Sequence, residues 1–222
     1  MDADDILEPF RALLAGDIVV RGCRGTDPSL ALEPERVVTE PMVQKRAHEF
    51  LTGRTCARRA LRDLGVVDEP LLQQENRAPR WPTHVVGSIS HTDGICIAAV
   101  ASAAAYFGIG IDVEKRDAVK PKLERYIATP AEIERHAATP RWRTLAFSGK
   151  EALFKCLNPR TGLWLEFRDV ELLEIAERSF LARVAPKDVT PFEVQGVWVE
   201  TPDYVLSAVV LRADDELVRS FG

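Results

Sequence analysis

The chain has 222 residues, 46% hydrophobic and 28% charged, and carries a net charge of −5. That is enough apolar material for one large domain or two small ones, and no global basic field exists to gather nucleic acid or an anionic membrane surface. Any anion site must be a local cluster of cations. Cys23, Cys56, Cys96 and Cys156 show no CxxC spacing, which points away from a zinc cluster or disulfide framework and toward a reducing cytoplasm. The acidic start MDADDILEPF lacks the basic flank of an export signal, and the weakly apolar run from Ile97 to Ile111 is too short to cross a membrane.

The first 40 residues predict one short strand, DIVVRG, between Pro- and Glu-containing loops. From Pro41 the spacing predicts a helix: Val43, Ala47, Phe50, Ala57, Leu61 and Leu64 recur at three- and four-residue steps, and Gly65 ends the run. Arg54 falls on that apolar stripe. PRWPTHVVGSISHTDGICIAAVA then alternates as two strands joined by a turn at Thr92-Asp93-Gly94, with His91 at its mouth. GIGIDVEKRD is a further strand. TPAEIERHAA opens a helix with Thr129 as N-cap, Pro130 at N1 and Glu132 completing a capping box; a second helix follows, capped by Thr139 with Pro140 at N1 and running to Asn158-Pro159. WLEFRDVELLEI, SFLARV, FEVQGVWVE and YVLSAVVLR complete the chain as a meander. Helix followed by strands thus occurs twice, before and after roughly residue 105.

Alternation on GIGIDVEK places Ile109, Ile111 and Val113 on one face and Gly110, Asp112 and Glu114 on the other. Carboxylates two apart on a strand lie about 6 to 7 Å apart, a gap that one hard cation such as Mg²⁺, or Mn²⁺, can bridge. For a lone D-x-E a solvated face is by far the commoner explanation. Here Gly108 and Gly110 thin the region, which allows a ligand close to the backbone. In the helix after Pro140, Trp142, Leu145, Ala146, Gly149, Ala152, Leu153 and Cys156 make the packing face, while Ser148, Glu151 and Lys155 share another. Glu151 and Lys155 form an i,i+4 pair on the bland reading. On the functional one they are a third metal ligand and a phosphate contact. An arginine on an apolar stripe, as Arg54 is, must snorkel out or meet a buried anion.

These segments resemble a known family. KRAHEFLTGRTCARRAL, RAPRWPTHVVGSISHTDG, GIGIDVEK and LAFSGKEALFK, in that order, are similar to the 4′-phosphopantetheinyl transferases of the surfactin-synthetase-activating class, in the branch resembling enterobactin synthase component D. The resemblance covers roughly residues 41 to 175. It implies a mixed α/β (α+β) fold of two similar halves, each a long helix on a small, mainly antiparallel sheet, related by a pseudo-twofold axis. The halves would divide as 1–105, holding the coenzyme A 3′-phosphate and adenine, and 106–222, holding the metal, the pyrophosphate and the docked carrier.

The implied reaction moves the phosphopantetheine arm of coenzyme A to a serine of an apo acyl, aryl or peptidyl carrier domain, leaving adenosine 3′,5′-bisphosphate. It serves siderophore, nonribosomal peptide or polyketide synthesis. Carried over by position, Asp112, Glu114 and Glu151 hold Mg²⁺ against the pyrophosphate, with Asp112 and Lys155 also toward coenzyme A. Arg46, Arg54 and His91 engage the 3′-phosphate, Ser90 offers a hydroxyl or backbone contact, and Arg80 and Trp81 belong to an adenine-side loop, where Trp81 serves equally well as core. Glu151 is the base for the serine proton, directly or through a water. Arg141, Arg143 and Arg160 are candidate docking cations. A monomer is expected, without nucleic-acid or membrane partners. The readings from other classes are a non-catalytic carrier-domain or nucleotide-binding module of the same fold, which the intact carboxylates disfavour, and a hydrolase, which the missing GxSxG disfavours.

Overall fold

A computed structural model describes residues 3–221. Two antiparallel sheets organise them, three-stranded and five-stranded. In the first, β1 (Val19–Arg24) and β2 (Val85–Thr92) flank β3 (Ile95–Ser102), in the order β1-β3-β2. β2 and β3 form the expected hairpin, its turn made at Asp93-Gly94, where Gly94 takes φ +92. The second sheet is β4 (Tyr106–Lys115), β5 (Val170–Ile175), β6 (Ser179–Val184), β7 (Phe192–Glu200) and β8 (Tyr204–Arg212), ordered β4-β8-β7-β6-β5.

The amino-terminal segment holds more than the single strand expected of it. α1 (Ala3–Arg11) buries Ile6, Leu7 and Phe10 against β1, and α2 (Glu33–Thr39) lies beside the long helix. That long helix, α3 (Gln44–Asp63), packs Cys56, Ala57, Ala60 and Leu61 on one face of the first sheet, against Val85, Cys96, Ala98 and Val100. The opposite face, Val86, Ile97, Ala99 and Ala101, meets Ile109, Ile111 and Val113 of β4. Three apolar residues alternating on one strand are therefore fully covered, as the pleat requires. Val43, assigned to the α3 stripe from its spacing, is exposed, because the helix begins after it.

After α4 (Glu124–Ile127) and α5 (Pro130–His136), the second long helix, α6 (Trp142–Thr161), lies across β4 and β8. α5 starts as expected: Thr129 Oγ1 accepts the Glu132 N–H. α6 does not start at Thr139-Pro140. The Thr139 N–H turns back to the His136 carbonyl, Arg141 takes the left-handed region at φ +57, and only Trp142 begins the helix. A tight reversal between two helices supplies the start that a cap was expected to make. At its far end α6 continues through Pro159 to Thr161 and stops at Gly162, φ +67. WLEFRDVELLEI becomes strand only at Val170, after a 3-10 turn over Phe167–Asp169. The chain closes with α7 (Glu216–Arg219). Among the described residues no helix is long and apolar enough to cross a membrane, and the four cysteines are buried free thiols.

Candidate active site

Gly108 and Gly110 hold the key to how the site is assembled. A Cβ at Gly110 would stand 1.8 Å from the Ala152 carbonyl oxygen, and one at Gly108 would stand 2.4 Å from that of Cys156. These glycines were expected to admit a ligand; they admit α6 instead. With no side chains between them, helix and strand come into backbone contact. The Gly110, Asp112, Glu114 face of β4 is thereby set against the Glu151, Lys155 face of α6.

At the contact, Lys155 Nζ donates to Asp112 Oδ1 at 2.7 Å and to the Ile111 carbonyl at 3.3 Å. Ser90 Oγ, reaching across from β2, donates to the same Asp112 oxygen at 2.7 Å and accepts from Lys155 at 3.1 Å and from the Val113 N–H at 3.3 Å. Its single proton is engaged, so a ligand would meet Ser90 through its backbone. Two residues earlier Ser88 Oγ accepts the Ile111 N–H at 3.1 Å. β2 and β4 thus join through two hydroxyls rather than through a backbone ladder.

Asp112 is 3% exposed, and its second oxygen, Oδ2, is buried with no partner. Burial of an unpartnered carboxylate oxygen is costly, and the neighbouring carboxyls register the crowding. Burial, with Asp112 adding to it, pushes Glu114 up to about 7. Burial likewise raises Glu151, with Lys155 opposing and Asp112 reinforcing the rise. Among the described residues no three His, Cys, Asp or Glu side chains are gathered closely enough to hold a metal ion as they stand; the cation on Asp112 is the Lys155 ammonium. The donor set nonetheless suits a hard divalent ion: carboxylate oxygens alone, one of them buried and unsatisfied, and two more carboxyls whose charged forms are disfavoured chiefly by burial and further by Asp112.

The expected phosphate contacts divide. Arg46 Nη1 donates to His91 Nε2 at 3.0 Å, with Glu49 3.7 Å from Arg46 and 3.9 Å from His91. An arginine can only donate, so His91 accepts as a neutral imidazole; burial, helped by Arg46 and Lys155, lowers its pKa. Arg54 is separate from this pair. It is 4% exposed, its Nε donates to the Leu71 carbonyl at 2.6 Å, and its guanidinium lies 4.0 Å over the Phe50 ring. Burial brings its pKa down to about 10 with Glu35 in opposition, and Nη2 is buried without a partner. An arginine on an apolar stripe has thus met a carbonyl and a ring, with the buried nitrogen Nη2 left without a partner.

Arg80 is exposed, and among the described residues its one hydrogen bond is from its backbone N–H to the Leu72 carbonyl. Trp81 packs against the first core and lies over Gly87 of β2. It also lines a cavity of about 200 Å³ between β2, the loop over residues 76–81 and α6, together with Arg77, Ser88, Glu151, Phe154 and Lys155. Asn76 bridges to Asn158 of α6 at 3.2 Å beside it. Two of the proposed docking cations are tied internally, Arg141 to Glu200 and Arg143 to Glu124, and Arg160 lies over Phe107.

A second cavity, about 540 Å³, flanks Glu151 and is walled by Tyr126, Lys150, Phe154, Trp164 and Phe167 among others. Trp164 is 71% exposed and packs edge-on against Phe154. Neither this cavity nor Ser88 was foreseen. Ser88 was within reach, because it shares a strand face with Ser90; Trp164 was read as part of a strand that begins later.

Two family models match the chain: the 4′-phosphopantetheinyl transferase N-terminal domain over residues 33–101 and the 4′-phosphopantetheinyl transferase superfamily over residues 108–209. Among similar proteins, the 4′-phosphopantetheinyl transferase Svp of Streptomyces mobaraensis is 37% identical over 202 residues, covering 84% of this chain and 81% of Svp. PptT of Mycobacterium tuberculosis, also a 4′-phosphopantetheinyl transferase, is 33% identical over 202 residues, 83% of this chain and 88% of PptT. Enterobactin synthase component D of Escherichia coli is 41% identical over 124 residues, 53% of this chain and 58% of its own.

Proposed function

The chain belongs to the 4′-phosphopantetheinyl transferase family, and from that premise we propose that the contact of β2, β4 and α6 is its active site. There the phosphopantetheine arm of coenzyme A passes to a serine of an apo acyl, aryl or peptidyl carrier domain. The observation that carries this reading is Asp112: one oxygen held by Lys155 and Ser90, the other buried and unpartnered, with Glu114 and Glu151 nearby and both driven up.

Asp112, Glu114 and Glu151 would hold Mg²⁺, or Mn²⁺, which when bound supplies neutralising charge to the pyrophosphate. The chain's own residues do the rest. Lys155, whose ammonium is held by Asp112, Ser90 and the Ile111 carbonyl, is a fixed positive charge for the pyrophosphate. Arg46 and His91, paired at the rim, receive the 3′-phosphate, and the unpartnered Nη2 of Arg54 offers a further donor. The serine oxygen attacks the β-phosphorus, the bond from that phosphorus to the bridging oxygen breaks, and adenosine 3′,5′-bisphosphate leaves with the electron pair. Glu151 takes the serine proton; a carboxyl raised above its ordinary pKa is the stronger base. Fixed charges aligned on a displacement at phosphorus supply most of what such a reaction needs.

The amino-terminal portion, residues 1–105, takes the nucleotide end, with Trp81 beside the adenine, and residues 106–222 take the pyrophosphate and the carrier. The protein acts as a cytoplasmic monomer in siderophore, nonribosomal peptide or polyketide synthesis. Mixing it with coenzyme A, Mg²⁺ and an apo carrier tests the proposal: the carrier gains the mass of the arm with wild-type protein and none with Asp112→Ala, whose circular dichroism stays native. Full transfer by Asp112→Ala would sink the assignment.

A further inference from the structure

Lys150 precedes Glu151 on α6, and its side chain is buried. Its Nζ donates to Glu132 Oε2 at 2.7 Å, to the Ile127 carbonyl at 2.7 Å and to the Phe167 carbonyl at 3.1 Å, so all three protons are used. Glu132 is equally occupied: Oε2 also takes the Thr129 N–H at 3.4 Å, and Oε1 accepts the Leu172 N–H at 3.1 Å. Glu132 is fully buried and Lys150 is 3% exposed.

The other half contains the same circuit in different letters. Glu35, at the third position of α2, accepts the Leu32 N–H at 2.8 Å on Oε2, and on Oε1 the Leu71 N–H at 2.7 Å and Arg58 Nη2 at 2.5 Å. Arg58, on α3, also donates to the Leu30 and Glu69 carbonyls at 2.7 and 2.9 Å. Each circuit has an acid that closes a short helix, a cation on the long helix and a backbone N–H further along the chain. A buried ion pair brings little net stability, because desolvation offsets the attraction. What it does bring is placement, since one charge fixes several backbone segments at a point.

In the second half those segments are the walls of the cavity beside Glu151. Tyr126 adjoins Ile127, Phe167 supplies the third acceptor and Arg168 follows it, Val170 stands two before Leu172, and Glu151 itself follows Lys150. We propose that Lys150 and Glu132 are positioning residues for the transfer step: acting through Ile127, Phe167 and Leu172, they hold the walls around Glu151 where the reacting arm and the acceptor serine meet. The nucleotide end, assigned to Arg46 and His91 in the other half, does not depend on them. The inference rests on the transferase reading above.

The test measures two quantities on full-length protein: arm transfer from coenzyme A to an apo carrier, and the affinity for adenosine 3′,5′-bisphosphate, which has the nucleotide end but no arm. Lys150→Met and Glu132→Gln are expected to lower kcat by about 100-fold, with bisphosphate affinity within about threefold of wild type. Lys150→Arg, which repeats the cation of the other half, recovers most of kcat. A Glu132→Leu/Lys150→Met double variant leaves no buried charge unpaired, so it stays folded yet slow. The double variant carries the test if a single variant fails to fold. Wild-type kcat in the double variant overturns the proposal. So does a loss of bisphosphate affinity in step with kcat, or a double variant that fails to fold, each of which leaves a purely structural pair. Wild-type protein that transfers nothing overturns the transferase reading and this inference with it.

Discussion

Gly110→Ala is the smallest change that separates the two sides of the active site. The added methyl would start 1.8 Å from the Ala152 carbonyl oxygen and 2.5 Å from the Cys156 nitrogen, both backbone atoms, where real Cβ contacts stay beyond 3.0 Å. Helix backbone cannot rotate out of the way as a side chain can, so α6 must lift from β4 by about 1 Å or more. Lys155 then leaves hydrogen-bonding range of Asp112, now 2.7 Å away, and Glu151 moves with it. Overpacking of this kind costs about 1–3 kcal/mol in stability, a drop that thermal unfolding will register while the protein remains folded. A displacement of about 1 Å among reacting groups costs about 100-fold in rate. Transfer to an apo carrier, followed by mass, should therefore fall far more than the fraction folded does. A Gly110→Ala protein with wild-type kcat would refute the claim that helix-to-strand contact sets the site.

Two further outcomes follow from the cations. Arg54→Ala should weaken coenzyme A more than 3′-dephospho-coenzyme A, because only the former can use the unpartnered Nη2; equal losses would assign Arg54 to holding the Leu71 carbonyl and nothing else. His91 is lowered by burial and by Arg46 in the free protein, and a bound phosphate dianion must raise it. Between those two pKa values coenzyme A binding takes up a proton and weakens as pH rises. Glu114, at about 7, titrates nearby, so calorimetry in buffers of different ionisation enthalpy is compared with His91→Gln. Equal proton uptake by both proteins would exclude His91.

Local pattern made the strands and the two long helices legible, because period-two and helical spacing reflect which face is covered. Ile109, Ile111 and Val113 are buried as alternation demands, and Asp112 and Glu114 face α6. Where sequence reasoning failed, a distant partner decided the outcome. The glycines of β4 looked like room for a ligand because nothing local announces a helix 42 residues further on. The start of α6 was displaced from Thr139 by the reversal at Arg141, whose positive φ no side chain advertises. Glu132 was legible as half of a capping box, but the N–H on its second oxygen and the lysine paired with it come from segments 40 and 18 residues away. α1 went unread although Ile6, Leu7 and Phe10 stand at helical spacing, because Pro9 and the surrounding acids read as loop, and α2 went unread because its few apolar residues give weak periodicity.

The two hydroxyls between β2 and β4 carry a consequence for solubility. β4 is the terminal strand of the five-stranded sheet, and an edge with free N–H groups is a template on which another chain can add a strand. The N–H groups of Ile111 and Val113 are closed by Ser88 and Ser90 instead. Barrels remove such edges by closing the sheet, and many sheets blunt them with charge or proline; here a neighbouring sheet does it with side chains. The serine that orients Asp112 therefore also guards the molecule against self-association through the edge strand β4.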